Sequence, residues 1–431
     1  MAHVLITAGA LLSILLAFIF HAVLYSPISP QPLPFLPSSK PPSNNILQRV
    51  EKLGEGKLVG PEDICVGKLD LDGSVLYTVS RDGWIKRMHS NGTLEDWKMI
   101  GGDGLLGITQ SMDGDLLVCD AHKRVEKLGE GKLVGPEDIC VGKLDLDGSL
   151  LYTVSRDGWI KRMHSNGTLE DWKMIGGDGL LGITQSMDGD LLVCDAHKGL
   201  LKVGERGMIV LASQVDGSVI RFADAVIEAM DGSVYFSDAS TKFGFHDWHL
   251  DLLEARPHGR LLKYDPMTNK TSILLSNLCF ANGVALSKDQ DFLLVCETWR
   301  FRCLRYWLKG DLEGKVDVFI DNLPGGPDNV NLAPDGSFWI ALVQFRRPGM
   351  DWIHKWGLFK KVLSMYPTIF ELMHTPRAAM VANVASNGTL IRVLDDADGR
   401  VMSFVTSALE FDGHLFFGSL QNNFIGKLSL Y

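Results

Sequence analysis

Two turns in the second half of the chain place oxygen-bearing side chains next to residues that bend the backbone sharply. Asn282 lies in a Phe-Ala-Asn-Gly segment and Asp328 in a Gly-Pro-Asp-Asn segment. Carboxylate and amide oxygens are the ligands that calcium prefers. Asn before Gly and Asp after Pro also stabilise turns through their own backbone. Either residue alone therefore predicts a turn, and only a larger set of oxygen ligands would predict a metal site.

Residues 239–262 form a polar insertion with three histidines, His246, His249 and His258, and several aromatic side chains. Because an imidazole titrates near neutral pH, any of the three could take a proton from water in a hydrolytic reaction. Histidines in a polar insertion are also common surface residues, and this alternative stays open. The sequence has no Gly-x-Ser-x-Gly elbow, no P-loop and no Cys/His zinc spacing, so a covalent serine mechanism is not indicated.

The elements that would position these residues are short strands. From residue 147 onward, six turns, made by Asp-Gly pairs or by the polar segment 288–291, are each followed by an apolar run. The runs are LLYTV, DLLVC, SVYFS, FLLVC, SFWIA and HLFFG. Such turn-strand units are typical of the four-stranded blades of a β-propeller. The sequence therefore predicts an all-β fold in which residues 124–431 close as a six-bladed β-propeller.

A long internal repeat precedes this region. Residues 49–123 recur as 124–198 with a single difference, Val75 against Leu150. Structural repeats within a fold normally keep only a pattern, so this near-identity indicates a recent segmental duplication or an error in assembling the gene. We expect the first copy, residues 49–123, to be a partial propeller segment appended outside the ring. An eight-bladed ring that includes it is the alternative.

The N-terminal residues 4–24 are an apolar run long enough to cross a bilayer as a helix. No Lys or Arg precedes the run and no clear cleavage site follows it, so both a signal peptide and an uncleaved signal anchor fit residues 1–25. The Pro-rich residues 26–48 predict an extended linker. This organisation predicts a protein of the secretory pathway, in the vacuole or the endoplasmic reticulum lumen, free or anchored to the membrane through its N-terminal helix.

Four Asn-x-Thr sequons agree with that route and predict glycosylation if the body is lumenal. They begin at Asn91, Asn166, Asn269 and Asn387. Each also lies in a turn-rich context, where Asn occurs for purely structural reasons. The sequons therefore support the predicted location without establishing it.

Charge and cysteine content exclude some functions. The formal net charge of −10, with no basic stripe, argues against a nucleic-acid partner. Seven Cys are too few for a disulfide scaffold, and two of them are copies made by the repeat. Cys296 and Cys303 flank a short turn and could face each other across a hairpin as a disulfide, or both could be buried free thiols.

A second insertion, residues 346–380, is apolar at helical spacing, with Lys355, Lys360 and Lys361 between the apolar positions. This pattern predicts an amphipathic helix. Such a helix could cover the axial opening, lie on a membrane surface or pack on the side of the propeller.

Several motifs resemble one known family. The segments ANGVALSKD, VCETW, RYWLKG and NLPGGPDN are similar to those of the strictosidine synthase-like propellers, a group that includes the adipocyte plasma membrane-associated protein-like branch. The resemblance runs from about residue 125 to the C-terminus and implies a six-bladed propeller. In the related paraoxonases and diisopropyl fluorophosphatases, loop Asn and Asp residues at such positions bind calcium on the propeller axis.

The resemblance therefore implies a set of four calcium ligands, one from each of four loops. They are Glu137, Asp224, Asn282 and Asp328. Loops of different blades meet at a propeller axis, so ligands distant in sequence can converge there. One departure is Ala225, because the family often has Asn-Asp or Asp-Asp at this place, and the second acid is absent here.

The family's named reaction joins an amine to an aldehyde. The resemblance implies that the true synthases use a Glu a few residues before the closing strand as general acid and base. Thr406 stands at that place here, and Glu410, four residues further on, is expected to be a solvent residue at a strand edge. Because threonine does not titrate near neutral pH, we expect instead a calcium-dependent hydrolase of small esters or lactones. Strictosidine synthase-type condensation and a non-catalytic binding propeller are the alternatives.

Overall fold

The apolar runs form strands, and β-structure dominates the part of the chain that the structure describes. The structure is a computed structural model. The residues it describes are 13, 16–29, 31, 61–66, 76–80, 84–89, 93–99, 105–110, 116–120, 126–142, 151–164, 168–343, 355–366, 378–396 and 399–430. The chain divides into two compact units, one made of residues 1–37 and 126–431 and the other of residues 38–125.

Among its described residues, the larger unit contains six four-stranded antiparallel sheets, here called blades A to F, and each is an up-and-down meander. The first strands are Pro136–Val141, Leu180–Gln185, Ala223–Glu228, Ala281–Leu286, Gly326–Leu332 and Val405–Phe411. The second strands are Leu151–Ser155, Leu191–Asp195, Val234–Asp238, Phe292–Glu297, Phe338–Val343 and His414–Ser419. The third strands are Trp159–Met163, Gly199–Gly204, Gly259–Asp265, Arg302–Trp307, Ala379–Val384 and Ile425–Ser429. The fourth strands are Leu169–Met174, Gly207–Ala212, Lys270–Leu278, Val316–Ile320, Leu390–Asp396 and, for blade F, Glu126–Leu128.

The first strands contact one another in cyclic order around a common axis, so the blades form a closed ring. Glu126–Leu128, the beginning of the ring in sequence, pairs with Ile425–Ser429 of the last blade, with Leu128 opposite Ile425. The ends of the ring are thereby joined by hydrogen bonds, and blade F has no missing strand. The predicted six-bladed β-propeller is confirmed.

Alternation along the strands builds the core between neighbouring blades. In the second strand of blade D, Leu294 and Cys296 pack in a cluster with Phe338 of blade E. Leu293 and Val295, on the opposite face of the same strand, pack in a cluster shared with blade C. Because side chains of a strand alternate between its two faces, a continuous apolar run supplies both interfaces, and this explains why the second strands are so apolar.

The first copy of the repeat is described as a separate unit. It contains a four-stranded sheet and a two-stranded sheet, with the strands Pro61–Val66, Leu76–Ser80, Trp84–Met88, Leu94–Met99, Leu105–Gln110 and Leu116–Asp120. The four-stranded sheet repeats the pairing of blade A, with Ile85 opposite Val79 where blade A has Ile160 opposite Val154. The same sequence thus forms the same sheet twice.

We predict that deleting residues 49–123 leaves the ring folded with an unchanged melting temperature. The reason is that the strand that closes the ring, Glu126–Leu128, belongs to the second copy, so the deletion removes no ladder of the propeller. Thermal denaturation of the full-length and shortened chains compares the two directly. A shortened chain that fails to fold would show instead that the first copy is needed by the ring.

Helical structure is sparse among the described residues and lies mostly in the two insertions. Helix α1, Trp248–Glu254, lies in the insertion after the second strand of blade C, and helix α2, Gly357–Ser364, in the insertion after the second strand of blade E. The remaining short elements are the 3-10 turns Phe245–Asp247, Thr298–Arg300 and Gly310–Leu312 and a hairpin of Gln214–Val215 with Ser218–Val219. Most of the insertion 346–380 lies outside the described residues.

Only part of the predicted N-terminal helix is described, and residues 16–25 are helical. Within the described residues, we find no helix with both the length and the apolar character needed to cross a membrane. Residues that follow the helix are packed rather than free. Ile28 is buried in a cluster with Leu253 and Leu363, and the backbone N–H of Ser29 donates a hydrogen bond to Glu254. The beginning of the predicted linker is therefore docked on the two insertions.

Cys296 and Cys303 lie opposite each other in the second and third strands of blade D and form a disulfide. Of the predicted sequons, Asn269 and Asn387 lie on exposed turns, while Asn91 and Asn166 lie outside the described residues. Glycosylation at all four stays a prediction.

Candidate active site

Every blade has an irregularity at the same point. The pairing between the first and second strands shifts register near the start of the first strand in all six blades. The residues at this bulged position are Glu137, Leu181, Asp224, Asn282, Asp328 and Thr406. Because a bulge re-aims a side chain, the six blades present six equivalent positions at one end of the axis. All four predicted calcium ligands occupy such positions.

The structure brings these four residues together. Glu137, Asp224, Asn282 and Asp328 line one cavity of about 410 Å³, and each is at most 6% exposed. A cavity of this size suits a small ligand. Whether the four residues bind calcium stays a prediction.

Burial and mutual repulsion disfavour the ionised forms of the three carboxylates in the cavity. Burial raises the pKa of Glu137 well above its usual range, and the nearby charges of Asp328, Asp138 and Asp224 raise it further. The pKa of Asp224 is raised in the same way, and burial raises the pKa of Asp328 to about 8. Three buried acids with raised pKa values mark a place where a cation would be favourable.

Asn282, the uncharged member of the four, also fits a bound cation. Its side chain hydrogen-bonds to the Asp328 carboxylate, so its amide nitrogen is used. Its Oδ1 is the buried side-chain atom among the described residues that has no hydrogen-bond partner. Because an unpaired buried acceptor costs about 1–3 kcal/mol, this oxygen fits a cation ligand. The residues present therefore fit an oxygen-coordinated divalent cation.

A second layer of hydrogen bonds fixes the carboxylates from behind. The amide Nδ2 of Asn329 donates to both carboxylate oxygens of Glu137 at 3.3 and 3.4 Å. Neighbouring Asp138 points away from the cavity and accepts hydrogen bonds from the backbone N–H of Ile183 and the hydroxyl of Ser407. Asp138 thus joins blade A to blades B and F and holds the strand that carries Glu137.

Glycines let the first strands approach closely enough to bring the candidate ligands together. A Cβ atom on Gly283 would lie 2.3 Å from the backbone oxygen of Asp328, and one on Gly182 would lie 2.3 Å from that of Asp224. These positions therefore admit no side chain without moving Asp328 or Asp224. The glycine after Asn282, which the sequence indicates only as a turn residue, has a packing role.

Aromatic side chains form one wall of the cavity. Phe222 and Phe280 each precede a predicted ligand by two residues, and their rings are 5.2 Å apart. The centroid of the Trp299 ring lies 4.4 Å from that of Phe280, with the two rings tilted, and its indole N–H donates to Asp251 of α1. Phe280 has a φ of 61°, a strained conformation for a bulky residue that is common at functional sites. Apolar rings beside acidic groups suit a small organic substrate.

The rest of the cavity lining, like Trp299 of the aromatic wall, comes from residues that follow the second strands. The two strands are antiparallel, so the end of the second strand lies beside the start of the first, as Ser155 lies beside Pro136 in blade A. The cavity-lining residues of this kind are Arg156, Thr298, Trp299, Leu420 and Gln421. The sequence did not indicate them as site residues, because Thr298 and Trp299 end the VCETW segment, which carried only the family resemblance, and the others belong to no motif. Their place after each apolar run is a usable signal.

The three candidate histidines have different surroundings. His246 lines the cavity and is largely exposed. His258 lies 3.1 Å through its Nε2 from Glu254, and His249 is half-buried on α1 beside Trp248. Neither His249 nor His258 is among the cavity-lining residues. Only His246 therefore remains positioned to act on a molecule in the cavity.

Thr406 is completely buried, and its hydroxyl donates to the backbone oxygen of Glu137 at 2.8 Å. It does not line the cavity. Glu410 accepts a hydrogen bond from the indole N–H of Trp339, so it is a structural residue between blades E and F and not a free solvent residue. Neither side chain is placed to titrate against a substrate.

The chain is similar to known proteins over most of its length. Two family models match, Strictosidine synthase over residues 224–311 and Strictosidine synthase-like, N-terminal over residues 42–88. Protein Strictosidine Synthase-Like 4 of Arabidopsis thaliana is 37% identical over 312 residues, which cover 71% of this chain and 82% of that protein. The chain belongs to the strictosidine synthase-like family. The adipocyte plasma membrane-associated protein of Mus musculus is another relative, with 34% identity to this strictosidine synthase-like protein. The match covers 72% of this chain and 78% of that protein.

Solved structures agree on the fold. A putative gluconolactonase matches with a TM-score of 0.50 and 16% identity, covering 71% of this chain and 91% of that one. A gluconolactonase from Xanthomonas campestris matches with a TM-score of 0.50 and 14% identity, covering 72% and 94%. At such low identity these structures support the propeller architecture of the strictosidine synthase-like chain and nothing finer.

Proposed function

We propose that this strictosidine synthase-like protein is a calcium-dependent hydrolase of small esters or lactones. The observation that carries the proposal is the buried group of three carboxylates around the unpaired Oδ1 of Asn282, beside an aromatic wall. The gluconolactonase names of the structural neighbours are consistent with lactone hydrolysis but belong to those proteins.

Different residues of the cavity would bind the metal and the substrate. Glu137, Asp224, Asn282 and Asp328 would hold calcium, which when bound polarises a carbonyl oxygen. Phe222, Phe280 and Trp299 would bind the apolar part of the substrate and exclude water from it.

Two basic side chains lie where the substrate would enter. Arg156, whose guanidinium carbon lies 5.4 Å from the Phe245 ring centroid, would attract a substrate carboxylate. His246 at the cavity mouth would take a proton from attacking water.

We expect the full chain to hydrolyse members of a panel of aryl esters and lactones only when calcium is present. Asp224→Asn keeps the size of the side chain but removes its charge, and should lower kcat/KM by about 10²–10³-fold, as loss of one electrostatic stabiliser does in other enzymes. The matched control is Asp289→Asn, the same substitution on an exposed turn of blade D, which should leave kcat/KM unchanged.

Two results would contradict the proposal. Calcium-independent hydrolysis would place the chemistry elsewhere. Calcium binding without turnover of any ester or lactone would favour the alternative, a binding propeller whose metal only stiffens the axis.

We also propose that the protein contacts a membrane of the secretory pathway through its N-terminal helical residues. Phe20, Leu24 and Tyr25 are each more than half exposed, beside α2, whose Lys361 Nζ donates to the backbone oxygen of Val23. The disulfide in blade D is consistent with an oxidising compartment, and several relatives are named as plasma membrane-associated. Vacuole and endoplasmic reticulum are both compatible with these features.

Phe20→Asp with Leu24→Asp should weaken binding of the full chain to phosphatidylcholine vesicles by at least about tenfold, because each buried apolar side chain contributes roughly 1.5–3 kcal/mol. Leu390→Asp, at an exposed apolar position on the outer strand of blade E, is the control and should bind like the unmodified chain. Flotation in a density gradient measures the bound fraction. Equal flotation of all three proteins would rule out this contact.

A further inference from the structure

We propose that Asp178, His197 and His246 form a second metal site, for a transition-metal ion of the Zn²⁺ class, at the mouth of the axial cavity. Asp178 lies just before the first strand of blade B, His197 follows its second strand, and His246 lies in the blade C insertion. Their ligand atoms all lie within 4.8 Å of one another. Among the described residues, the axial carboxylates included, no other three His, Cys, Asp or Glu side chains come this close.

The distances between these groups match a shared small ion. Nε2 of His197 lies 3.3 Å from Oδ1 of Asp178, and Nε2 of His246 lies 3.7 Å from the same oxygen. Zn²⁺ binds nitrogen and oxygen at about 2.0–2.2 Å, so tetrahedral ligands are separated by roughly 3.3–3.6 Å. Two of the three separations therefore need little adjustment to hold one ion.

The surroundings position both imidazoles. The backbone N–H of His197 donates to the fully buried Asp195, which sets the turn after the second strand. The rings of His197 and His246 lie 5.9 and 5.6 Å from the ring of Phe245 and 5.3 Å from each other. Phe245 is buried and lies beside both imidazole rings. Orientation of this kind is what a metal-binding histidine needs from its neighbours.

The ligand types separate this site from the axial one. Two imidazole nitrogens and one carboxylate favour Zn²⁺ and similar ions, whereas calcium prefers oxygen ligands alone. Three protein ligands leave a fourth position open to water. Because His246 lines the cavity and Asp178 and His197 belong to blade B, a bound ion would also tie the blade C insertion across the cavity mouth. This second site does not depend on the proposed hydrolase activity, and an ion bound to Nε2 of His246 would occupy that nitrogen, so the metal-bound and the proton-accepting states of His246 exclude each other.

The internal repeat supplies a matched control. The first copy contains Asp103 and His122 at the places of Asp178 and His197, but the repeat ends before any counterpart of His246. A direct hydrogen bond between His197 and Asp178, with His246 in solvent, is the simpler alternative. The hydrogen bond between His197 and Asp178 needs no third residue. Replacing His246 should therefore weaken metal binding and leave that hydrogen bond in place.

The test is titration of the chelator-stripped full chain with Zn²⁺ in a large excess of Ca²⁺, followed by calorimetry. We expect Zn²⁺ binding that calcium does not displace. His197→Ala, His246→Ala and the near-isosteric Asp178→Asn should each weaken it by at least about 100-fold, more than loss of an outer partner of a metal site does. His122→Ala should bind Zn²⁺ like the unmodified chain.

The results that would contradict the second metal site are distinct from those that support it. Unweakened Zn²⁺ binding in the His197→Ala and His246→Ala chains, or no binding by the unmodified chain, would overturn the second site. Thermal melts of each variant verify folding, and Asp178→Asn provides the result if an alanine variant does not fold. Activity toward esters is not part of the readout, so failure of the hydrolase proposal would leave this result unaffected.

Discussion

Chelating calcium should lower the melting temperature of the protein, and the decrease should be larger at pH 8 than at pH 5. A ligand that binds only the folded state at 100 times its Kd stabilises that state by about 2.7 kcal/mol. The buried carboxylates Glu137, Asp224 and Asp328, with the unpaired oxygen of Asn282, are the groups whose environment a bound cation would relieve.

The pH dependence follows from the raised pKa of Asp328. Without calcium its folded-state pKa is about 8, whereas an unfolded Asp titrates near 3.9. Between about pH 4 and pH 8 the folded chain holds a proton that the unfolded chain has released, so the calcium-free protein loses stability as pH rises through this window. The difference of roughly four pKa units corresponds to on the order of 5 kcal/mol. Calcium opposes this loss because it binds the ionised carboxylate.

Asp328→Asn separates the two contributions. The variant should not respond to calcium, and without calcium it should be at least as stable at pH 8 as the unmodified chain, because one of the repelling acids is gone. Asp289→Asn, on an exposed turn of the same propeller, should keep the full calcium response. Scanning calorimetry at both pH values measures the effect, and identical melts with and without chelator would mean that the axial residues hold no calcium.

Much of the ring was predictable because its strands repeat one pattern. The apolar runs found in the sequence are the second strands, and each is buried on both faces between two blades. The convergence of the four candidate calcium ligands was predictable from the resemblance, and the structure adds a physical reason for it; their binding of calcium stays a prediction. Each occupies the bulged position of a first strand, as do Leu181 and Thr406 in the remaining blades.

Contacts between distant segments were not predictable. The packing of Ile28 and the hydrogen bond of Ser29 to Glu254 join the N-terminal segment to an insertion more than two hundred residues away, and no local pattern encodes such a pairing. For the same reason His258 could not be separated from His246 by residue type. Only the fold shows that His258 lies against Glu254 while His246 reaches the cavity.

With calcium present, the unmodified protein should give no detectable coupled product from an aromatic amine and an aldehyde glucoside. General acid–base catalysis typically raises a reaction rate by about 10²–10⁴-fold. In this chain, Thr406 stands at the place where the family resemblance puts the catalytic Glu of the synthases. Its hydroxyl is buried and committed to the backbone oxygen of Glu137, and Glu410 is committed to Trp339. Both are therefore removed from a substrate in the cavity.

The remaining acids in the cavity are the carboxylates that would hold calcium. When calcium is bound they are ionised and coordinated, so none is free to give a proton to an aldehyde oxygen. Without calcium, the raised pKa of Asp328, about 8, leaves this side chain protonated at neutral pH and able to act as an acid. The decisive measurement is therefore incubation with tryptamine and the aldehyde glucoside, with calcium and with chelator, followed by mass spectrometry. We expect no turnover with calcium and at most a weak reaction with chelator that Asp328→Asn lowers, whereas rapid condensation in the presence of calcium would reverse the preference for hydrolysis over synthesis.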